Sequence, residues 1–192
     1  MQPLRILIAD DESIRLLSLR AQLAALGHKV VAEASTGAEA VALAERQQPD
    51  LAILDIKMPI VDGIEAAERI TQARPIPIIL LTAYSEAQLV ERASQANISA
   101  YLMKPVSEED LLPAIALALA RFKQFQSLRQ EVADLREALE ARKTIERAKG
   151  ILMRRLNLTE DEAFRRLQRQ SQESNRKLAQ VAEAVVVADQ ML

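Results

Sequence analysis

Residues 53–59 read ILDIKMP, an apolar run that passes into an acid, a lysine and a proline. A short apolar run of this kind is typical of a buried strand, and Asp55 stands where that strand would end. Three more stretches share the arrangement, at residues 8–12 (IADDE), 80–83 (LLTA) and 100–105 (AYLMKP). Because ligands bind at the carboxyl ends of the strands in open α/β sheets, we expect the four stretches to meet in one site.

Apolar runs alternate with longer amphipathic stretches through the first part of the chain. The runs predict five strands, near residues 4–9, 29–34, 50–55, 76–81 and 99–103. The stretches predict five helices, near residues 13–26, 37–47, 63–73, 86–95 and from 107 onward. This alternation is typical of βαβ units. The predicted fold class is therefore α/β, with a parallel five-stranded sheet.

The rest of the chain is predicted to be helical to its end. Four apolar residues spaced 4-3-4 predict a coiled-coil seam in a long helix, and the alternative is that they pack on their own chain. They are Leu128, Val132, Leu135 and Leu139. Asn157 can end this helix, and Thr159 with Glu162 forms a capping box for the next one. Two further expectations are that Phe164 lies in the core and that Ser174 caps a last helix.

Composition excludes several kinds of site. The chain has no cysteine among its 192 residues, which rules out disulfides, cysteine zinc sites and thiol nucleophiles. It shows no secretory signal pattern, and no apolar run approaches the roughly 18 residues that span a bilayer. We therefore expect a cytoplasmic protein without a membrane partner. The single histidine, His28, follows Gly27 in a turn, and we expect it at the surface and not as a phosphorylated residue.

Charge is unevenly distributed along the chain. Residues 1–127 carry 12 basic and 16 acidic side chains, whereas residues 142–177 carry 11 basic and 5 acidic ones. A basic segment joined to an acidic half favours contact between the C-terminal part and a polyanion. The alternative is an ordinary solvated helical surface.

The predicted site suits a magnesium ion and a phosphoryl group. Magnesium prefers oxygen ligands in octahedral geometry, and it neutralises charge when a carboxylate attacks a phosphoryl group. We expect Asp11 and Asp55 as direct ligands, the Lys57 carbonyl as another, and Asp10 as a ligand through water. Asp55 is also the expected nucleophile, which would form an aspartyl phosphate. The alternative is a chance cluster of surface acids.

Two further residues are expected to contact the phosphoryl group. Lys104 would place a positive charge on its oxygens, and Thr82 would donate its hydroxyl to one of them. We expect a cis peptide bond before Pro105, which would aim Lys104 inward.

Residues 1–122 resemble a response-regulator receiver domain, a flavodoxin-like (βα)5 fold. The acidic, hydroxyl and lysine positions of that family's site are all present. The resemblance implies that a partner histidine kinase donates the phosphoryl group. It also implies that Tyr101 is the switch aromatic, which turns inward when Thr82 is drawn to the phosphate; the alternative is a half-buried strand residue. Val106 departs from the pattern, because many receivers carry Phe there.

Residues 131–192 resemble the ANTAR domain, a three-helix RNA-binding module of transcription antiterminators, and residues 123–140 would form a helical coiled-coil linker before it. The segments AKGILM at 148–153 and TEDEAF at 159–164 carry most of the match. Gly150 stands in mid-helix at a cost of about 1 kcal/mol relative to Ala, which suggests close approach of another helix or of RNA backbone.

RNA loops are recognised through unstacked bases and phosphate contacts. Aromatic residues are only 3 % of the chain, so recognition would rest on cations and loop shape. The candidate RNA contacts are Arg142, Arg147, Lys149, Arg154, Arg155 and Lys177.

Together these features predict a two-component response regulator with magnesium as its cofactor. Phosphorylation of Asp55 would promote homodimerisation through the helix at residues 115–140. The dimer would bind hairpin loops in nascent leader RNA and cause transcription antitermination. We do not expect an enzyme. The phosphoacceptor site would assist only its own phosphotransfer and dephosphorylation.

Two alternatives belong to other classes of protein. One is a receiver with a helical DNA-binding output, although the acidic start of the helix after residue 158 is poorly suited to a major groove. The other is a signalling adaptor whose helices bind a partner protein.

Overall fold

The structure, a computed structural model, describes residues 2–83 and 98–190. It divides into two compact units, Met1–Gln126 and Ser127–Leu192. The helix that the sequence predicts near residues 86–95 lies outside the described residues. No helix in the described part of the chain is both long and apolar enough to cross a membrane.

The first unit contains the five-stranded parallel sheet that the sequence predicts. Its strand order is β2-β1-β3-β4-β5. The strands are β1 (Arg5–Ala9), β2 (Lys29–Ala34), β3 (Leu51–Asp55), β4 (Ile78–Thr82) and β5 (Ala100–Met103). Every residue of β3 and β4 is buried, because helices cover both faces of a parallel sheet. The α/β fold class is therefore confirmed.

Alternate residues of each central strand belong to two separate hydrophobic clusters. On one face, Leu7 and Leu54 pack with helices α2 (Gly37–Gln47) and α3 (Gly63–Ala73). On the other face, Ile8 and Ile53 pack with α1 (Ser13–Ala25) and with the first turns of α4 (Glu108–Leu156). The two-residue period of a strand produces this division. The core is almost wholly aliphatic, as the low aromatic content requires.

The strand order places the carboxyl ends of β1 and β3 side by side. β1 pairs with β2 on one side and with β3 on the other, so the connections run in opposite directions from this point. In sheets of order 2-1-3-4-5 this reversal opens a crevice for ligands. The acids that follow β1 and end β3 therefore share one crevice.

Gly63 lets α3 begin directly against the end of β3. Its backbone N–H donates to the carbonyl oxygen of Ile56 at 2.9 Å. A Cβ at this position would lie 2.0 Å from the carbonyl oxygen of Asp55. No side chain fits there, so only glycine allows the start of α3 to pack this closely against the backbone of the Asp55 loop.

The second unit contains three helices: the later part of α4, then α5 (Glu160–Ser174) and α6 (Leu178–Gln190). Its small core joins one or two residues from each helix, namely Ala148, Leu167, Val181 and Ala182. Asn157, at φ +52°, follows α4. Thr159 and Glu162 form the predicted capping box at the start of α5.

Two expectations about the second unit are wrong, and one of two alternatives is removed. Ser174 does not cap the last helix: it lies in α5, where its hydroxyl donates to the Gln170 carbonyl at 2.6 Å, and Asn175 at φ +51° ends the helix. Phe164 is half-buried and stands outside the core cluster. Within the described residues no other helix approaches Gly150, because a Cβ there would have nothing within 4 Å. The alternative of a close approach by RNA backbone stays a prediction.

His28 is buried, which contradicts the expected surface position. Gly27 adopts φ +81° and turns the chain back toward the sheet, so His28 enters just ahead of β2 with 6 % of its surface exposed. Its Nδ1 accepts a hydrogen bond from the Leu4 backbone N–H at 3.3 Å, and Nε2 has no partner among the described residues. Burial lowers the pKa of His28 below its ordinary value of 6.5.

Replacing Gly63 by alanine should destabilise the first unit, because the added Cβ collides with backbone that cannot move without shifting the Asp55 loop. We expect a loss of roughly 1–3 kcal/mol, as for other overpacked sites, in chemical denaturation followed by circular dichroism. Gly150→Ala is the control: in an open mid-helix position it should stabilise by about 1 kcal/mol. Equal effects of the two substitutions would contradict this packing argument.

His28 should make the first unit sensitive to acid. Because its pKa is lowered in the folded state, the unfolded chain binds the proton more readily, and stability falls as the pH drops below about 6.5. The loss can reach about 1.4 kcal/mol per pH unit. Comparing the free energy of unfolding of wild type and His28→Gln between pH 7.5 and 5 measures this contribution. Parallel pH profiles for the two proteins would contradict it.

Candidate functional site

Three carboxylates gather at the crevice between β1 and β3. One carboxylate oxygen each of Asp10, Asp11 and Asp55 lies within 4.8 Å of the other two. Asp10 and Asp55 are buried, with 1 % and 4 % of their surfaces exposed, whereas Asp11 faces solvent. Oxygen donors in this number and spacing fit a hard divalent cation such as Mg2+.

Asp11 and Lys57 also line one shallow depression beside this cluster. Its volume is about 350 Å3, and its other lining residues are Ile56, Met58 and Asp62. The side chain of Lys57 is exposed. The expected use of the Lys57 carbonyl as a ligand stays a prediction.

Lys104 balances the negative charge of the two buried acids. Its Nζ lies 2.6 Å from Oδ2 of Asp55 and 3.1 Å from Oδ2 of Asp10. Its backbone N–H donates to the Thr82 carbonyl at 2.9 Å, which places it beside the end of β4. The peptide bond between Lys104 and Pro105 is cis, as the sequence predicts.

Burial and Lys104 act on the pKa of Asp55 in opposite directions. Desolvation of the carboxyl raises the pKa above its ordinary value, and the charge of Asp10 adds to the increase. The hydrogen bond and the charge of Lys104 lower it. A further cation in the crevice would favour the carboxylate form, which is the form that acts as a nucleophile.

Arg15 is a second cation at the site, and sequence reasoning missed it. Its Nη1 lies 3.3 Å from Oδ1 of Asp10 and 3.8 Å from Oδ2 of Asp55, and its Nη2 is paired with Glu12. The signal was available. Arg15 lies in the first turn of α1, four residues after Asp11, and helical side chains lean toward the N-terminus of their helix.

Thr82 and Tyr101 lie on neighbouring strands and on the same face of the sheet. Tyr101 is paired in register with Leu80, two residues before Thr82. Thr82 is buried, and its hydroxyl donates to the Ala83 carbonyl at 3.2 Å. Tyr101 is half-buried against the α2–α3 core, and burial raises the pKa of its hydroxyl.

The candidate RNA contacts fall into two groups. Five of them are exposed: Arg142, Arg147, Arg154, Arg155 and Lys177. Arg155 pairs with Asp189 at 2.9 Å. Lys149 differs from all of these, because it is 8 % exposed and its Nζ lies 2.7 Å from Glu160 and 2.9 Å from Glu146. Hydrogen bonding to Glu160 and Glu146 raises the pKa of Lys149.

Lys149 therefore joins α4 to the start of α5. Its Nζ also lies 5.8 Å from the centroid of the Phe164 ring, within the range of a cation–π contact. The partner Glu160 lies in the first turn of α5, and the pairing lowers its pKa.

Comparisons with known proteins match both parts of the chain. Residues 6–116 match the family model of the response regulator receiver domain, and residues 133–186 match that of the ANTAR domain. The transcriptional regulatory protein PdtaR of Mycobacterium tuberculosis is 48 % identical over 184 residues. That similarity covers 96 % of this chain and 90 % of PdtaR.

Solved structures share the fold of the first unit. The signal receiver domain of a modulated diguanylate cyclase from Desulfovibrio desulfuricans has a TM-score of 0.60 and 33 % identity, over 64 % of this chain and 98 % of that one. A chain of the CheX-CheY-BeF3-Mg+2 complex from Borrelia burgdorferi has a TM-score of 0.56 and 26 % identity, over 59 % and 87 %.

These matches agree with the order of the two units and with the acids of the crevice. The receiver match covers more than half of the chain, and the similarity to PdtaR extends through both units. The chain therefore belongs to the two-component response regulators, with a receiver domain followed by an ANTAR domain.

Proposed function

We propose that the protein is a cytoplasmic transcription antiterminator controlled by phosphorylation of Asp55. A partner histidine kinase supplies the phosphoryl group, and the ANTAR domain binds hairpin loops in nascent leader RNA. The observation that carries the proposal is the buried pair of acids with Lys104 bridging them, 2.6 Å from Asp55 and 3.1 Å from Asp10. Similarity to a transcriptional regulatory protein along both units supports it.

The same site would hold Mg2+, through Asp11, Asp55 and the Lys57 carbonyl, with Asp10 contributing through water. When bound, the ion supplies charge neutralisation for an incoming phosphoryl group. The presence of Mg+2 and BeF3 in the similar Borrelia burgdorferi complex supports this assignment. The donor set supports it independently, because three carboxylates with ligand atoms within 4.8 Å of one another match the oxygen ligands that Mg2+ prefers.

In the proposed phosphotransfer, a carboxylate oxygen of Asp55 attacks the phosphorus of the kinase phosphohistidine. The P–O bond to Asp55 forms as the P–N bond breaks, and the imidazole of the kinase leaves. Lys104 already contacts Asp55 and would follow the new phosphoryl oxygens. Phosphorylation adds between about one and a half and two negative charges at pH 7, which would draw the Thr82 hydroxyl toward the phosphate and let Tyr101 turn inward.

Dimerisation is proposed to use the apolar seam of α4, the four residues spaced 4-3-4. All four side chains are exposed, by 58 %, 41 %, 64 % and 53 % in Leu128, Val132, Leu135 and Leu139. An exposed row of large apolar residues at coiled-coil spacing favours a partner helix. The exposure also argues against the alternative that the seam packs on its own chain.

RNA binding is proposed to use one face of α4. Arg147, Gly150 and Arg154 recur at spacings of three and four, so they share a face. Both arginines are exposed, and within the described ranges they form no ion pair. Gly150 between them has open space where a Cβ would stand, so a phosphate backbone can come close to the helix there. Arg142, Arg155 and Lys177 extend the candidate surface.

Lys149 would support this interface indirectly, through its ion pairs within the domain. Its ammonium is engaged by Glu146 and Glu160, so its direct use by RNA would require those pairs to break. We therefore propose that it holds the start of α5 in position, and that direct contact with RNA comes from the exposed arginines.

Asp55→Asn should abolish dimerisation that depends on phosphorylation, because an amide cannot accept the phosphoryl group or its mimic. Sedimentation velocity with Mg2+ measures the dimer dissociation constant of the wild type with and without beryllofluoride. Beryllofluoride should lower this constant at least about tenfold, which corresponds to about 1.4 kcal/mol of dimerisation free energy. Asp50→Asn is the matched control, since Asp50 precedes β3 at its opposite end and its carboxylate accepts a hydrogen bond from the Arg5 backbone N–H at 2.8 Å. If beryllofluoride still promotes dimerisation of Asp55→Asn, the proposed switch is wrong.

Arg147→Gln and Arg154→Gln should each weaken RNA binding and reduce its salt dependence, because each removes about one phosphate contact. The RNA is obtained by mixing total bacterial RNA with the purified protein and beryllofluoride, then sequencing what is retained. The enriched leader RNA is then titrated at several salt concentrations. Arg136→Gln, an exposed arginine earlier on α4, is the control and should bind like the wild type.

Three outcomes of that capture separate the functions. Enrichment of leader RNAs with paired hairpins, stronger with the mimic, supports antitermination. Salt-dependent binding to duplex DNA with no RNA preference would replace the proposal with a DNA-binding output. Absence of any nucleic-acid binding would replace it with a protein adaptor.

A further inference from the structure

Arg15 occupies the same carboxylates that a divalent cation would use. Its Nη1 donates to Oδ1 of Asp10 at 3.3 Å and lies 3.8 Å from Oδ2 of Asp55. The other oxygen of Asp10, Oδ2, is held by Lys104 at 3.1 Å. Both oxygens of Asp10, and one oxygen of Asp55, are therefore already engaged by protein cations.

A cation bound by these acids would lie close to the guanidinium. Magnesium lies about 2.1 Å from its oxygen ligands, so an ion on Asp55 Oδ2 would stand within roughly 6 Å of Arg15 Nη1. At that separation two positive charges repel each other strongly in a partly buried site. Arg15 and Mg2+ therefore compete for the same negative charge.

We propose that Arg15 is a built-in competitor of Mg2+ that sets the affinity of the acidic crevice for the ion. This inference rests on the proposed function, since it assumes that Mg2+ binds the crevice before phosphotransfer. In the metal-free protein Arg15 lowers the repulsion between Asp10 and Asp55. When the ion binds, the guanidinium withdraws from both acids.

The structure offers Arg15 a place to withdraw to. A cavity of about 390 Å3 extends from Asp10 and Lys104 of the crevice, and Arg15 lines it. Away from these charged residues its lining includes Leu19, Gln22 and Val106. A residue larger than Val106 would narrow this space. The pairing of Nη2 with Glu12 in the same turn would keep the displaced side chain near the site.

Lys104 and Arg15 therefore have different tasks. The Lys104 side chain is only 17 % exposed and contacts both buried acids at 3.1 Å or less, so it is a fixed part of the site. The Arg15 side chain is 41 % exposed and reaches Asp55 only at 3.8 Å. The more solvated and more distant of the two cations is the one that can yield to a metal ion.

The test measures Mg2+ binding to the unphosphorylated full-length protein by isothermal titration calorimetry. Arg15→Gln should bind Mg2+ about tenfold more tightly than the wild type, which corresponds to about 1.4 kcal/mol. Arg20→Gln is the matched control: it removes the same charge from the same helix, but its partner is Glu33, outside the crevice. It should change the binding constant less than twofold. Asp11→Asn should remove the signal and so locate it in the crevice.

A second measurement separates competition from a structural role. Without Mg2+, Arg15→Gln should melt at a lower temperature than the wild type, because the acids lose a neutralising partner. At saturating Mg2+ this difference should vanish, because the ion replaces what the arginine supplied and stabilises the folded state by mass action. A difference that stays constant with Mg2+ would mean that Arg15 only supports the fold.

The outcomes distinguish this inference from the proposed function. If the wild type binds Mg2+ and Arg15→Gln binds it equally or more weakly, the competition is refuted and the phosphoacceptor site stands. If neither protein binds Mg2+, the magnesium site of the proposed function fails, and the inference fails with it.

Discussion

Repulsion among the carboxylates at the ends of β1 and β3 is the constraint on which the receiver site depends. Parallel pairing of the two strands brings Asp10 and Asp55 into one crevice, and both are almost completely buried. Buried carboxylates are stable only when a cation or hydrogen bonds balance them. Lys104, which enters from the end of β5, supplies most of that balance through its contacts with both acids.

The same arrangement would make the site sensitive to the proposed phosphorylation of Asp55. The crevice brings the fixed cation Lys104 and the more solvated Arg15 into contact with Asp10 and Asp55, and burial raises the pKa of Asp55. A phosphoryl group changes that balance by nearly two charges. In the proposed switch, groups that border the crevice, such as the Thr82 hydroxyl at the end of β4, would then change partners.

In the second unit, the buried cation Lys149 stabilises the packing of two helices and does not belong to a ligand site. Lys149 is enclosed by Glu146, Glu160 and the Phe164 ring, and it fixes the start of α5 against α4. The small core of four buried residues needs such a contact, because three short apolar faces bury little surface. The neighbouring arginines Arg147 and Arg154 stay exposed. One helix thus carries both a structural cation and cations available to a polyanion.

The sequence alone determined the features that depend on neighbouring residues. Strand ends that carry Asp55 and Thr82, the capping box of Thr159, and the aliphatic core follow from local patterns, because strand period and cap chemistry act within a few residues. The acids could also be placed together, since the carboxyl ends of parallel strands always meet at one edge.

Only the tertiary structure decided the features that depend on long-range packing. His28 is buried because Gly27 turns the chain back toward β1, where Nδ1 meets the Leu4 N–H 24 residues away in sequence. In the sequence Lys149 resembles its basic neighbours, and only the packing of α5 against α4 places Glu160 beside it. Arg15 belongs to the site because α1 begins beside the β3 carboxyl end. The position of Arg15 near Asp10 could be read from the sequence, but its approach to Asp55 could not. In each of the three cases one partner lies on a different element of the fold, so no pattern within a single helix or strand identifies that contact.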